Sequence, residues 1–474
     1  MRSREKAVAR VLLIHALFFL AFWLTNGPYQ STLNAFLMGR TGLRTNFMLV
    51  FLLFAGLEAG WSAVRLILRR MGRRTGPVWP FNAAAALFLL FFYASFAVLF
   101  RSNPAQLYRL GQLMLYFRII FDAGILLFLA WLLGRQVRGK PPGRSAWMAA
   151  GLLALWLVPV FRTPANVYRG PLPEKPRLFA HRGASTQAPE NTLAAMQAAA
   201  DLGVYGLETD ITVSRDGVLF LMHDATLGRT TNIAGVFPDR AGEPAESFTW
   251  DELSRLDAGS WYPGWSTPSG DPIPTLDAGL KLAADRGLHF LYDLRIPAEG
   301  HPYHDRAFDM VLQAIDAAGI AERAWILAGP DEIDRVRSIL PDAVLAAGIG
   351  YTSAHPSPES LTAAGFRVVN SVYSLSIGEI EAYRQAGLWV NLWVVDEPWL
   401  YSRLWLAGVD SMTSNNVQDL ITLPRPAFAL PYDLYLLVWG GLGMAAAGVV
   451  VWSARYKPAP GKAGVRRRLF PPPQ

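Results

Sequence analysis

The stretch His181–Asn232 reads HRGASTQAPENTLAAMQAAADLGVYGLETDITVSRDGVLFLMHDATLGRTTN, and its reading decides the fold. It opens at the end of an apolar run, Leu178–His181, passes through a helical stretch, Thr192–Leu202, and enters a second apolar run, Leu207–Val213. Short runs that are almost wholly apolar are the pattern of parallel strands buried on both faces. Asp216-Gly217 lies between the alternating segments Ile211–Ser214 and Val218–Met222, which predicts a hairpin. The alternation continues downstream with Leu288–Leu294, Ala324–Leu327, Ala343–Ala347, Phe366–Asn370, Leu388–Val395 and Asp410–Thr413. Helical patterns fall between them, as at Thr275–Asp285 and Glu332–Leu340. Eight strands alternating with helices predict an α/β fold, a TIM-like (β/α)8 barrel. The segment 224–274 is rich in turn residues and aromatics and reads as a small insertion over one mouth of that barrel.

In such a barrel the active site lies at the C-terminal ends of the strands. The first strand ends in His181-Arg182-Gly183, and the second carries Glu208 and Asp210, two apart and so on one face. The hairpin leads to His223-Asp224, and the next strand carries Asp293 and Arg295. Glu208, Asp210 and Asp293 at one mouth would repel unless a cation neutralised them, and all-oxygen ligation suits Mg²⁺ or Ca²⁺. Two imidazoles, His181 and His223, beside such an ion can serve as general base and general acid. Arg182 and Arg295 match phosphate oxygens. The set describes metal-assisted cleavage of a phosphodiester. Trp393 either lines the pocket for the alcohol or packs in the core. Glu190 either positions the site or sits favourably at the start of the following helix. His289, His301, His304 and His355 have no motif around them and read as structural or surface residues.

Outside the barrel the chain changes character. Apolar runs occur at about 11–26, 47–68, 81–100, 113–133 and 146–161, and again at 434–452. Each approaches the ~20 residues that cross a bilayer core. They predict an α-helical transmembrane bundle of five N-terminal spans plus one C-terminal span, and three regions: a membrane domain over 1–171, the barrel over 172–430, and a C-terminal helix with a basic tail over 431–474. The first run has no small-residue cleavage site after it and reads as a retained helix. Basic residues in successive flanks alternate, four, two, four, two, four and finally six. The positive-inside rule then places both termini in the cytoplasm and the barrel outside the cytoplasmic (plasma) membrane. Arg118 with Asp122, and Glu58 with Arg65, are charges within these runs that share helix faces, as structural ion pairs or as an ion pathway.

The chain has 474 residues, 52% of them hydrophobic and only 17% charged, too few charges for an ordinary soluble protein. It has no cysteine, which excludes thiolate catalysis, disulfides and cysteine-ligated metals. The net charge of +7 suggests a nucleic-acid partner until it is divided by region. Residues 1–171 hold twenty Lys and Arg against three Asp and Glu, and 431–474 hold six against one, whereas 172–430 hold 18 against 33. The basic charge therefore belongs to the rims of the membrane segments, where it meets anionic lipid. The barrel is acidic, which speaks against nucleic acid as a partner.

On these residues the chain resembles the glycerophosphodiester phosphodiesterase family. The match rests on the HRG of the first strand, the PENT helix start, the E-x-D strand, the DG hairpin and the HD with its RTTN run. IPTL at 273–276 and AGVDSMTSNN at 407–416 extend it to about half of the chain. The resemblance implies His181 and His223 as the acid–base pair, Glu208 and Asp210 as metal ligands and Arg182 at the phosphate. Two departures stand out: Asp293-Leu294-Arg295 replaces the family's Glu-x-Lys, and Thr413-Ser414-Asn415-Asn416 lacks the usual acidic residue after the last strand. Both are similar to the six-transmembrane animal branch with an outward-facing catalytic domain. That branch implies glycerophosphodiesters, lysophospholipids or glycosylphosphatidylinositol as phospholipid-derived substrates. Two other classes fit a membrane-attached barrel: a catalytically inactive receptor or scaffold, and a transporter with an accessory barrel. The first would have lost a central histidine or carboxylate, and none is lost; the sparse polarity of the spans opposes the second.

Overall fold

The structure, a computed structural model, describes residues 45–71, 112–137, 142–264, 270–350 and 355–455, with isolated positions at 37, 90 and 94. It divides into two compact units, 1–110 and 111–474. In the first, the apolar run at 47–68 forms helix α1, Phe47–Arg70. The runs at 11–26 and 81–100 lie outside the described residues, apart from two positions, as do the side chains of Glu58 and Arg65.

In the second unit eight parallel strands close into a barrel. They are β1 (Arg177–His181), β2 (Gly206–Val213), β4 (His289–Leu294), β5 (Ala324–Leu327), β6 (Val344–Ile349), β7 (Val368–Val372), β8 (Trp389–Trp393) and β9 (Ser411–Ser414). The short strand β3 (Leu219–Leu221) pairs antiparallel with β2, as the Asp-Gly signal predicts. In that turn Ser214 Oγ and the Trp250 amide both donate to Asp216 Oδ1, and Gly217 adopts a φ of 91°. Closure is made where β1 lies between β9 and β2, with Phe179 opposite Gly206 and His181 opposite Glu208. The wall helices begin where hydroxyl residues cap them: Thr192 accepts from the Ala195 amide at the start of α4 (Leu193–Leu202), and Thr275 from Ala278 at α5 (Leu276–Asp285).

The barrel floor is filled by Phe179, Leu291, Trp325, Ala346 and Val368. The insertion after β3 has a core of its own, in which Phe220, Leu227, Ile233, Phe248, Leu253 and Leu256 are buried together. It thus forms a packed cap rather than a loose loop.

Helices α2 (Arg118–Val137), α3 (Pro142–Phe161) and α12 (Tyr432–Arg455) belong to the same unit as the barrel. The barrel's last helices are α10 (Pro398–Leu406) and α11 (Val417–Thr422). Leu126, Ala130, Tyr435, Trp439 and Ala446 pack α2 on α12. Trp156 Nε1 donates to the Trp439 carbonyl and Trp439 Nε1 to that of Trp156, at 3.2 and 2.8 Å, which locks α3 to α12. Arg118 and Asp122 form an i,i+4 ion pair of 3.0 Å, and Arg118 also reaches the Arg162 carbonyl, so they act structurally here.

Among the described residues two helices are long and apolar enough to cross a membrane, α2 and α12, with mean hydropathies of 1.6 and 2.0. The expected bundle of five N-terminal spans is therefore not supported: α2 is the one N-terminal helix of that kind among the described residues. The run expected over 146–161 lies within α3, Pro142–Phe161.

The entry to the barrel and its exit run side by side. Val167 pairs with Leu430 and Tyr168 with Pro431, Asn166 Nδ2 donates to the Phe428 carbonyl, and Trp405 Nε1 donates to that of Pro173. Both connections are thus fixed to each other before the first strand begins.

Gly206 marks the tightest point of the closure. A Cβ there would press on the Phe179 ring and lie 2.9 Å from the His289 carbonyl. Gly206→Ala should therefore cost about 1–3 kcal/mol of stability through overpacking. Gly378, in the first turn of α9 (Ile377–Gln385), has open space around it; Gly378→Ala should be neutral or stabilising by up to ~1 kcal/mol. Thermal unfolding of the two variants checks the contrast.

Candidate active site

The local backbone explains why the first motif needs its residues. After His181 the chain turns through Arg182 and Gly183, both with positive φ (59° and 80°). A Cβ at Gly183 would strike the backbone of Ala195 at 2.6 Å, so only glycine fits against the first turns of α4. The turn points the Arg182 amide at Glu208, whose carbonyl and Oε2 accept it at 2.8 and 3.1 Å.

The barrel register brings the carboxylates together. Asp210 of β2 is paired with Asp293 of β4, and Glu208 lies opposite His181. Burial, and then the charge of Asp210, push the Glu208 carboxyl well above its usual range; the charge of Asp293 adds to this. Burial and then Asp210 raise Asp293 as well. The charge of Asp210 thus opposes ionisation of both of its neighbours. As they stand, no three His, Asp or Glu side chains among the described residues converge closely enough to hold an ion. Asp210 Oδ2 is engaged by Asn191 Nδ2 at 2.8 Å and by Arg182 Nε at 3.1 Å. The chemistry of the donor set nevertheless fits a hard cation, because three mutually repelling carboxylates are what such an ion relieves.

His181 and His223 have different surroundings. His181 is nearly buried; Nδ1 faces Asn415 Oδ1 at 2.7 Å and Nε2 lies 3.8 Å from Glu208 Oε2. Burial, followed by the nearby charge of Arg182, lowers its pKa and favours the neutral imidazole. His223 is 43% exposed and bonds through Nδ1 to Asp224 Oδ1 at 2.7 Å. Asp224 is held by Arg229, whose hydrogen bonds lower its pKa to about 2.

A chain of alternating charges joins the two halves of the site. Arg182 Nη1 donates to Glu190 Oε1 at 2.9 Å, Arg229 donates to both oxygens of Glu190, and Arg229 continues to Asp224. Burial alone would raise Glu190, but the hydrogen bonds from Arg229 and the charge of Arg182 outweigh it and hold the carboxyl low. Glu190 therefore takes the positioning role. Arg182, expected at the phosphate, has its guanidinium turned onto Glu190 and Asp210. Arg295 is nearer to that expectation: Glu246 stands 3.6 Å from Nη2, and Nε and Nη2 have no hydrogen-bond partner. Trp393 ends β8 and is partly buried at the same mouth.

Four contributors were not singled out as site residues from the sequence. Asn191, with a φ of 55°, holds Asp210 from both sides: Nδ2 donates to its carboxylate and Oδ1 accepts from its amide. Arg229, inside the quoted motif, is the hub of the charge chain. Asp396 and Asn415 hold the back of His181. The motif position of Asn191 was a usable signal; that of Asp396 was not, since it lies far along the chain from His181. The remaining histidines are structural as expected, His289 stacked on Tyr205, His304 bonded to the Pro297 carbonyl, His301 facing that of Glu246 and His355 paired with Glu379.

Comparisons with known proteins give the family. The profile of the glycerophosphoryl diester phosphodiesterase family matches residues 181–419, half of the chain, and the chain belongs to that family. Among curated relatives it is 37% identical over 304 residues to the mouse "Glycerophosphoinositol inositolphosphodiesterase GDPD2", covering 60% of this chain and 55% of the relative. It is 35% identical over 332 residues to the chicken "Glycerophosphodiester phosphodiesterase domain-containing protein 5", covering 66% of this chain and 54% of the relative. The chain thus spans a little over half the length of these relatives. A phosphodiesterase from Caldanaerobacter subterraneus is 29% identical over 254 residues and is covered almost completely, to 98%, by 53% of this chain.

The Arg229 hub makes a pH-dependent prediction. Asp224 has a folded pKa of about 2, against about 3.9 in an unfolded chain. Its stabilisation is therefore complete above the unfolded value and is lost as pH falls towards 2. Arg229→Ala removes the cause, so the difference in melting temperature between the variant and the native protein should be largest near neutral pH and shrink below pH 4. Thermal unfolding across that range measures it.

Proposed function

We propose that the barrel hydrolyses a glycerophosphodiester or a related lipid-derived phosphodiester. The observation that carries this reading is the placing of His181 and His223 at the rim of the Glu208–Asp210–Asp293 cluster, beside an arginine with unused donors. In this mechanism Arg295 binds a phosphoryl oxygen of the substrate. His181, kept neutral by its surroundings, takes the proton of the nucleophile, which is water or a neighbouring substrate hydroxyl that first gives a cyclic phosphate. The P–O bond to the alcohol breaks, and His223, bonded through Nδ1 to Asp224, returns a proton to the leaving oxygen. Arg182 holds Glu190 and Asp210 in place, and Trp393 lines the pocket of the alcohol. Glu208, Asp210 and Asp293 would hold a Mg²⁺ or Ca²⁺ ion, which when bound supplies Lewis-acid polarisation of the phosphoryl group.

The membrane reading is part of the same proposal. Helices α2, α3 and α12, with the apolar runs that precede them, anchor the barrel, with both termini in the cytoplasm, the barrel outside, and the basic flanks against anionic lipid. What supports this is their apolarity, the alternation of basic flanks and the acidic charge of the barrel.

His181→Ala and His223→Ala should each lower kcat by about 10²–10⁴-fold with melting temperatures unchanged. Chelation should abolish turnover and added Mg²⁺ or Ca²⁺ restore it. A panel of glycerophosphocholine, glycerophosphoinositol and lysophospholipid, read by product analysis, identifies the alcohol; the mouse relative's name makes the inositol diester the first to try. Product release that survives both His181→Ala and chelation would refute the enzymatic reading. For the topology, an alkaline phosphatase fused after Pro173 should be active, and an inactive fusion would place the barrel inside.

A further inference from the structure

Asp396 lies just beyond β8 and Asn415 just beyond β9, and together they form a small hydrogen-bonded knot behind His181. The backbone amide of Asn415 donates to Asp396 Oδ1 at 2.8 Å, and its Nδ2 donates to Asp396 Oδ2 at 2.9 Å. Ser414 Oγ also reaches Oδ1, and Asn416 Nδ2 donates to the Asp396 carbonyl. An ionised carboxylate only accepts hydrogen bonds, so the amide of Asn415 has one permitted orientation: its NH₂ faces Asp396 and its oxygen faces away. That oxygen meets His181 Nδ1 at 2.7 Å and accepts from Ser185 Oγ at 3.0 Å. An amide oxygen cannot donate, so Nδ1 must carry the hydrogen. Nε2 is left with its lone pair, aimed at the side where Glu208 lies.

We infer that Asp396, acting through Asn415, is a positioning device that fixes the ring orientation of His181 and its Nδ1–H tautomer. Neither residue touches the substrate. The inference deepens the proposed function and rests on His181 acting as the base. It also gives a physical sense to the missing acid after the last strand: the carboxylate stands one strand away and acts through an amide. The imidazole thereby gains an oriented acceptor on Nδ1 that is itself held by a carboxylate. His223, with Asp224 directly on its Nδ1, has the opposite arrangement.

The test uses the full chain in membranes or detergent, with turnover of the best diester from the panel and melting temperature measured in parallel. Asp396→Asn lets the Asn415 amide sit either way round, so kcat should fall by roughly tenfold to a hundredfold, with KM changed by less than about twofold. Asn415→Asp alone should also lower kcat, because two carboxylates then face each other. The double exchange Asp396→Asn with Asn415→Asp restores a single permitted orientation: the new carboxylate accepts from His181 Nδ1 and from the new amide. It should recover kcat to within about threefold of the native value, a rescue that a merely structural role would not give. Full activity of Asp396→Asn, or a double variant no better than the singles at equal melting temperature, would overturn the inference. His181→Ala separates the two levels. If it stays fully active, the assignment of the base fails; if it is inactive while Asp396→Asn is fully active, only the positioning role fails.

Discussion

Everything at the catalytic mouth depends on the register in which β1 pairs with β2. One pairing both closes the barrel and places His181 beside Glu208. Because side chains alternate along a strand, a slip of one residue would turn Glu208 and Asp210 into the wall and His181 away from them. The register is held at the other end of the same strands by the fit of Phe179 into the space left by Gly206. The chemistry at the mouth is thus fixed by packing at the floor.

That closure gathers negative charge where it is costly. Glu208 and Asp210 are buried with Asp293 beside them, and the charge of Asp210 makes both Glu208 and Asp293 harder to ionise. The protein answers on one side with arginines. Arg182 and Arg229 share Glu190 between them, and the chain from Asp210 to Asp224 alternates in sign along its length. Such networks hold side chains in one arrangement, since moving any member strands a partner. The two histidines sit at opposite ends of this construction and differ accordingly, one backed by an amide and the other by a carboxylate.

Much of this was legible in the sequence, for identifiable reasons. The eight strands announced themselves because they are buried on both faces, and the observed strands overlap the expected ones at all eight. The DG hairpin and the threonine caps are local chemistry, decided by neighbours in the chain. Glu208, Asp210, His181 and His223 were found because their positions are tied to strand ends. What escaped depends on distant segments meeting. Arg182 was placed at the phosphate, and nothing local shows that Glu190 and Asp210 also engage its guanidinium. Asn415 and Asp396 lie more than two hundred residues beyond His181, on strands that adjoin it only once the barrel has closed. The apolar run at 146–161 was read as a span on composition; it lies within α3, with Pro159 near its end, where Tyr435 bonds to the Pro159 carbonyl.

The side-by-side pairing of Val167–Tyr168 with Leu430–Pro431 has a mechanical consequence. A barrel hung from one linker would swivel like a lamp on a cord and present its mouth in any direction. Here two strands leave from the same point and are bonded to each other, so the attachment resembles the two leaves of a door hinge. Rotation about the axis of the linkers is blocked, and tilting is confined to one plane. The height and heading of the catalytic mouth above helices α2 and α12 are therefore set by construction. The same arrangement makes the barrel a cassette: its two ends meet at one place between α3 and α12.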